Sequence, residues 1–159
     1  MRTFEQHIFI DCQKDVAYDH IAEPINMIGL RPFLMTIDRM KEQVDENGIT
    51  LRPFYTMEVF RWASIPLLKS RIYSVIHLTK PKDELEFHVF IKPNIKIVFK
   101  YGFVQYNDLR THITQTINFE RVNKLLEGLV FDQTVKAQRV LFTNLKARLE
   151  KQKPLASPY

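Results

Sequence analysis

The chain has 159 residues, 45% of them hydrophobic and 26% charged, and at about 150 residues one domain buries roughly 70% of its unfolded surface without disulfides or a metal. A single cysteine, Cys12, excludes an internal disulfide framework and fits a reducing compartment. The net charge of +5 is made of 23 Lys and Arg mixed with 18 acids, without a long like-charge run, which reads as a solvated surface and argues against a nucleic-acid partner.

Met1-Arg2-Thr3 leads directly into a strand pattern, with no secretory signal in view. That first strand runs from about Thr3 to Asp11. A short helix follows from Asp15 to about Ala22, with an acid at its positive end and Val16, Ala17 and Ile21 as its apolar side. Pro24 starts a second short turn, Ile25 to Ile28, ended by Gly29. Strand patterns then succeed one another: Leu34 to Gln43, Ile49 to Trp62, Leu67 to Thr79, Glu84 to Lys92, Ile95 to Tyr106 and Leu109 to Phe119. Glu46-Asn47-Gly48, Lys80 to Asp83, Pro93-Asn94 and Asn107-Asp108 are the turns, and their shortness predicts antiparallel pairing. From Val122 to Lys151 the apolar spacing becomes helical, predicting a helix roughly 40 Å long. The end, Lys151 to Tyr159, holds two prolines and reads as a frayed tail. No apolar run approaches the ~20 residues of a membrane span. A cytoplasmic location follows as the expectation.

The order is strand, two short helices, six strands, long helix. A seven-stranded antiparallel sheet with one apolar face must cover that face, and the long helix is the one element large enough to do so. The sheet should therefore curl around it, with the two small helices plugging its open edge. This arrangement resembles the helix-grip fold of the START-like superfamily, also called SRPBCC. The resemblance rests on the element order, on Val16-Ala17-Tyr18 and Glu23-Pro24 after the first strand, and on Leu145-Lys146-Ala147-Arg148-Leu149-Glu150 near the end. Gln13-Lys14 stands where many bacterial members have Ala-Pro, and Ile28 to Pro32 where many have Trp. The resemblance implies an α+β helix-grip domain over residues 1–151, followed by a flexible tail over 152–159. It also implies a range of functions, from lipid transfer to polyketide cyclisation.

Alternation names the side chains that face the helix: Leu85, Phe87, Val89 and Ile91; Ile95, Ile97, Phe99, Tyr101 and Phe103; and Leu109, Ile113, Gln115, Ile117 and Phe119. The candidate site is a cavity lined by Phe87, Val89, Ile97, Phe99, Tyr101, Phe103 and Ile113. Phe131 and Phe142 face it from the helix, Gln115 and Tyr101 supply polar contacts, and Trp62 covers the entrance. The competing reading is a filled core. Glu84, Glu86 and His88 share the opposite face, where pairing with lysines of the next strand outweighs a metal or acid–base site. Lys92, Lys96 and Lys100 form a stripe there without interleaved aromatics. Cys12 beside Asp11 reads as a structural thiol. No catalytic constellation, metal site or cofactor is expected. The expected function is non-covalent binding of a hydrophobic small molecule or lipid, for transport or sensing. The alternatives are a polyketide cyclase/aromatase-type enzyme and a START-like protein-interaction module.

Overall fold

The computed structural model describes residues 2–31, 34–62 and 65–150, apart from the side chains of Met35 and of residues 60–62 and 65–68. The elements are β1 (Thr3–Ile10), α1 (Lys14–Ile21), a 3-10 helix (Pro24–Met27), β2 (Leu34–Arg39), β3 (Gln43–Val44), β4 (Thr50–Trp62), β5 (Ile65–Lys80), β6 (Glu84–Ile91), β7 (Ile95–Asn107), β8 (Arg110–Arg121) and α2 (Glu127–Leu149). The predicted tail falls outside the described residues.

All strands join one antiparallel sheet in the order β1-β8-β7-β6-β5-β4-β2, with β3 also on β4. The first strand pairs with the last, Thr3 opposite Asn118 and Ile10 opposite Thr111. The seven predicted strands are thus present, and an eighth, two-residue strand joins them because the segment expected from Leu34 to Gln43 divides. Pro53 explains the break: its carbonyl accepts from the Met40 N–H at 3.0 Å, but it has no N–H to return, so the ladder lapses before β3. The Asp45–Ile49 turn is held by Asp45 Oδ1, which accepts from the backbone N–H of Asn47 at 2.8 Å and of Ile49 at 2.9 Å. β5 starts at Ile65, two residues before the expected Leu67, and pairs there with Trp62 of β4.

The long helix starts five residues later than the periodicity from Val122 predicts. Asn123 captures the backbone first: its side-chain oxygen accepts from Leu125 N–H at 2.8 Å and its carbonyl from Leu126 N–H at 2.9 Å. The remaining 23 residues span roughly 35 Å. α2 turns Val135, Gln138, Leu141, Phe142 and Leu145 towards the sheet. Its C-terminal end is tied to β1, where Lys146 Nζ donates to Phe9 O at 2.7 Å and Asp11 N–H donates to Glu150 Oε2 at 2.8 Å. The helix backbone therefore lies close to β1 and stands off from β4–β7.

α1 buries Ala17, Tyr18 and Ile21, while Val16, expected on the apolar side, is exposed. Tyr18 takes its place, its ring edge-on to Phe103 at 5.2 Å and its hydroxyl donating to Glu84 O at 3.3 Å. The two small helices close the end of the grip between β1 and β2. Arg148 locks them: its guanidinium donates to Asn26 O at 2.6 Å and to Ile28 O at 2.9 Å. Gly29 is required at this crossing. Its φ is +84°, and a Cβ there would lie 2.9 Å from Arg148 Nη2.

One correction concerns β8. Leu109 does not face the helix; it sits in the β7–β8 turn, 74% exposed, and Thr111 holds the inward position before Ile113. β7 and β8 pair up to Asn107 and Arg110, so Asp108 and Leu109 form the two-residue turn and Leu109 lies beyond the end of the sheet.

Candidate functional site: the cavity between α2 and β4–β7

Where the helix stands off, a cavity of about 340 Å3 remains, within the ~300–1,000 Å3 typical of small-molecule sites. Strand alternation builds its floor. Phe54 and Glu58 come from β4, Ser70, Ile72 and Ser74 from β5, Phe87, Val89 and Ile91 from β6, and Ile95, Ile97, Phe99 and Tyr101 from β7. Helical spacing builds its roof from Leu129, Val130, Gln133, Thr134, Ala137, Gln138 and Leu141. Thr134 and Ala137 are short where a leucine would fill the space. Met27, Arg31, Lys92 and Leu126 complete the rim.

Two polar arrangements meet this apolar space. The first is an ion pair, Arg31 with the buried Glu58, whose other oxygen accepts from Thr56 Oγ1 at 2.8 Å. Arg31 Nε is buried without a hydrogen-bond partner among the described residues. The second is a chain of amides. Gln6 Nε2 donates to Gln115 Oε1 at 2.6 Å; Gln115 Nε2 donates to Tyr101 Oη and to Gln138 Oε1, both at 2.7 Å. Burial pushes the Tyr101 phenol well above its ordinary range, although the Gln115 bond works against that shift, so it keeps its proton.

Of the residues singled out from the sequence, Phe87, Val89, Ile97, Phe99 and Tyr101 line the cavity. Gln115 lies behind Tyr101 and reaches the cavity through it. Phe103, Ile113, Phe131 and Phe142 do not line it. Phe103 packs against Tyr18, and Ile113 belongs to the close-packed part of the core. Phe131 meets Phe119 at 5.2 Å and Phe4 at 6.4 Å, on the other side of the helix. Phe142 sits 6.4 Å from Tyr101, beneath the roof. The side chain of Trp62 lies outside the described residues.

Sequence reasoning missed Arg31, Glu58, Ser74 and Gln138. Parity held the signal for two of them: Glu58 shares its face with Phe54 and Thr56, and Ser74 shares its face with Ile72 and Ile76. The outer face is occupied as expected for solvated charge, with Glu86 hydrogen-bonded to His88 at 2.9 Å and 3.8 Å from Lys100. Lys96 pairs with Glu120 at 2.9 Å. Aromatics do interleave there, contrary to expectation: Tyr55, Tyr73 and Phe90 form a row with centroid spacings of 5.2 and 5.9 Å, and Arg71 lies over Tyr55. No cluster of three or more His, Cys, Asp or Glu among the described residues is placed to hold a metal, and no described helix is long and apolar enough to cross a membrane. Burial pushes the Cys12 thiol up, with Glu150 and Asp11 adding to the shift.

No protein-family model matches the sequence, and no curated protein matches it either. Solved structures match over nearly the whole chain. A START superfamily protein from Mycobacterium smegmatis superposes with a TM-score of 0.70 at 8% identity, covering 95% of this chain and 99% of that one. Zhui aromatase/cyclase from a Streptomyces species does so at 0.66 and 12% identity, covering 92% and 94%. A protein from Thermus thermophilus, TTHA0849, gives 0.67 at 11% identity, covering 99% and 100%. A curved antiparallel sheet that pairs its first strand with its last and grips one long C-terminal helix is the helix-grip fold, and it is the fold this chain shares with these structures.

Proposed function

We propose that the protein binds a hydrophobic small molecule or lipid, non-covalently, in the cavity between α2 and β4–β7, for transport or sensing. The observation that carries this reading is the unfilled half of the grip: about 340 Å3 walled mostly by apolar side chains. Phe87, Val89, Ile97, Phe99 and Tyr101 are the contact residues of this reading, with Gln115 and Phe142 supporting Tyr101 from behind. Burying ~300 Å2 of apolar ligand surface at ~25 cal/mol per Å2 offers about 7 kcal/mol before the costs of association. The single, half-buried Cys12 suits action in a reducing cytoplasm. Native mass spectrometry of the freshly purified protein should show a co-purified small molecule, and an apolar fluorescent probe should bind at micromolar concentration or better. A bare protein mass together with no probe binding below millimolar concentration would remove the proposal.

A cyclase-type enzyme is the second reading, favoured by one observation: the buried Glu58 carboxylate and its Arg31 partner stand in the cavity wall. In that case Glu58→Gln would abolish turnover while leaving probe binding in place.

A further inference from the structure

The amide chain behind Tyr101 has a fixed direction, and one backbone oxygen sets it. Gln6 Nε2 lies 3.2 Å from the backbone carbonyl of Gln138. A carbonyl only accepts, so the Gln6 atom that meets it must be the nitrogen. The same nitrogen meets Gln115, which must present its oxygen. The remaining Gln115 atom is then the nitrogen, and its two hydrogens go to Tyr101 Oη and to Gln138 Oε1. Every amide is thereby oriented, without appeal to an arbitrary choice between oxygen and nitrogen.

The consequence falls on the two members that line the cavity. Tyr101 spends its oxygen as an acceptor, and its own O–H has no acceptor among the described residues. Gln138 spends its oxygen likewise, and its Nε2 hydrogens have none. Both side chains are buried, at 3% and 4% exposure. Two donors flank one amide nitrogen on side chains that line the cavity, and a buried donor left unpaired is costly. Charge does not complete the site, since Glu58 and Arg31 in the same wall are paired with each other and offset one another there.

Resting on the binding reading above, we propose that the cavity selects a neutral apolar molecule bearing a carbonyl oxygen, which accepts from Tyr101 Oη–H and Gln138 Nε2–H together. A carbonyl has the two lone pairs this needs. A hydrocarbon of the same shape would leave both donors unpaired. Burial keeps the Tyr101 phenol protonated, so the donor persists across ordinary pH.

The test compares methyl octyl ketone with the alkene in which a methylene group replaces its carbonyl oxygen. Each competes against the same apolar fluorescent probe. The ketone should bind about tenfold tighter than the alkene, as two modest hydrogen bonds allow. Tyr101→Phe and Gln138→Met should each lower that ratio about threefold, while alkene affinity, read alongside the thermal melt, reports whether the fold survives. Equal affinity for the two compounds in the parent protein overturns the inference and leaves hydrophobic binding standing. A ratio unchanged in both variants overturns it as well. Failure of both compounds and of the probe to bind instead removes the binding reading, and the inference with it.

Discussion

The two halves of the grip are built from the same strand alternation and come to opposite ends. On the β1–β8 side, α2 is pulled down by Lys146 and Glu150, and large side chains close the space: Phe4, Ile113, Ile117, Phe119, Phe131 and Leu145. On the β4–β7 side, the same helix presents Thr134, Ala137 and Gln138, and the floor stays uncovered. A face that alternates correctly is therefore not yet a filled face. What decides is where the helix is tethered and how far its side chains reach.

The sharpest way to test this contrast is to cut into the closed half. Leu145 is fully buried there, so Leu145→Ala should cost roughly 2–5 kcal/mol in chemical denaturation. A loss below half a kcal/mol would mean the packing is not as described. In the open half the effect should fall on binding rather than on stability. Phe99→Trp adds volume where space exists, so it should leave stability within about 1 kcal/mol and weaken probe binding at least tenfold. In a filled core the same change would overpack and destabilise by roughly 1–3 kcal/mol.

A smaller effect, common to both halves, is read by pH. His20, held at the closed end, and His77, on the outer face of the open half, both have depressed pKa values. Burial is the main cause for each, with Arg148 adding at His20 and His88 at His77. A histidine whose folded pKa is lowered binds its proton more readily unfolded, so its stabilising share is present above the unfolded value and is lost as pH falls. The melting temperature should therefore decline as pH drops below about 6.5, and His77→Gln should remove part of that decline. A melting temperature flat across this range would reject both assignments. The smallest effect belongs to Lys100, whose exposed pairing with Glu86 at 3.8 Å should be worth less than about 1 kcal/mol in Lys100→Gln.

Much of this architecture is legible in the residues. Period-two patterning from Glu84 to Phe103 names the inward face correctly, because each strand there is regular and the Pro93-Asn94 turn keeps its register. Helical spacing likewise names Leu141 and Leu145 as buried. The tilt of the helix is not legible. Periodicity shows which stripe of α2 is apolar but not which strand that stripe meets, so Phe131 reads as a cavity residue and belongs with Phe4 and Phe119. The amide chain is equally hidden. No sequence pattern singles out Gln6 or Gln138, since glutamine is mostly exposed; only the fold brings residues 132 apart in sequence to one carbonyl. Leu109 goes astray because the turn takes Asp108 and Leu109 and the strand starts only at Arg110, a boundary that no local pattern announces.

The pairing of β1 with β8 also sets a clock. Thr3 and Asn118, which bond across the seam, are 115 residues apart. On a ribosome adding ~5–20 residues per second, the first strand waits roughly 6–23 s before its partner has even been made. The β2–β8 meander can meanwhile zip hairpin by hairpin, each turn being short. The order of synthesis is thus the reverse of the order of assembly for β1: the earliest strand is the last to be seated. Until it arrives, β8 offers a bare edge, open to any passing strand. A chain deprived of β1 should accordingly aggregate through β8, and a synthetic peptide of Thr3–Ile10 supplied during refolding should suppress that aggregation.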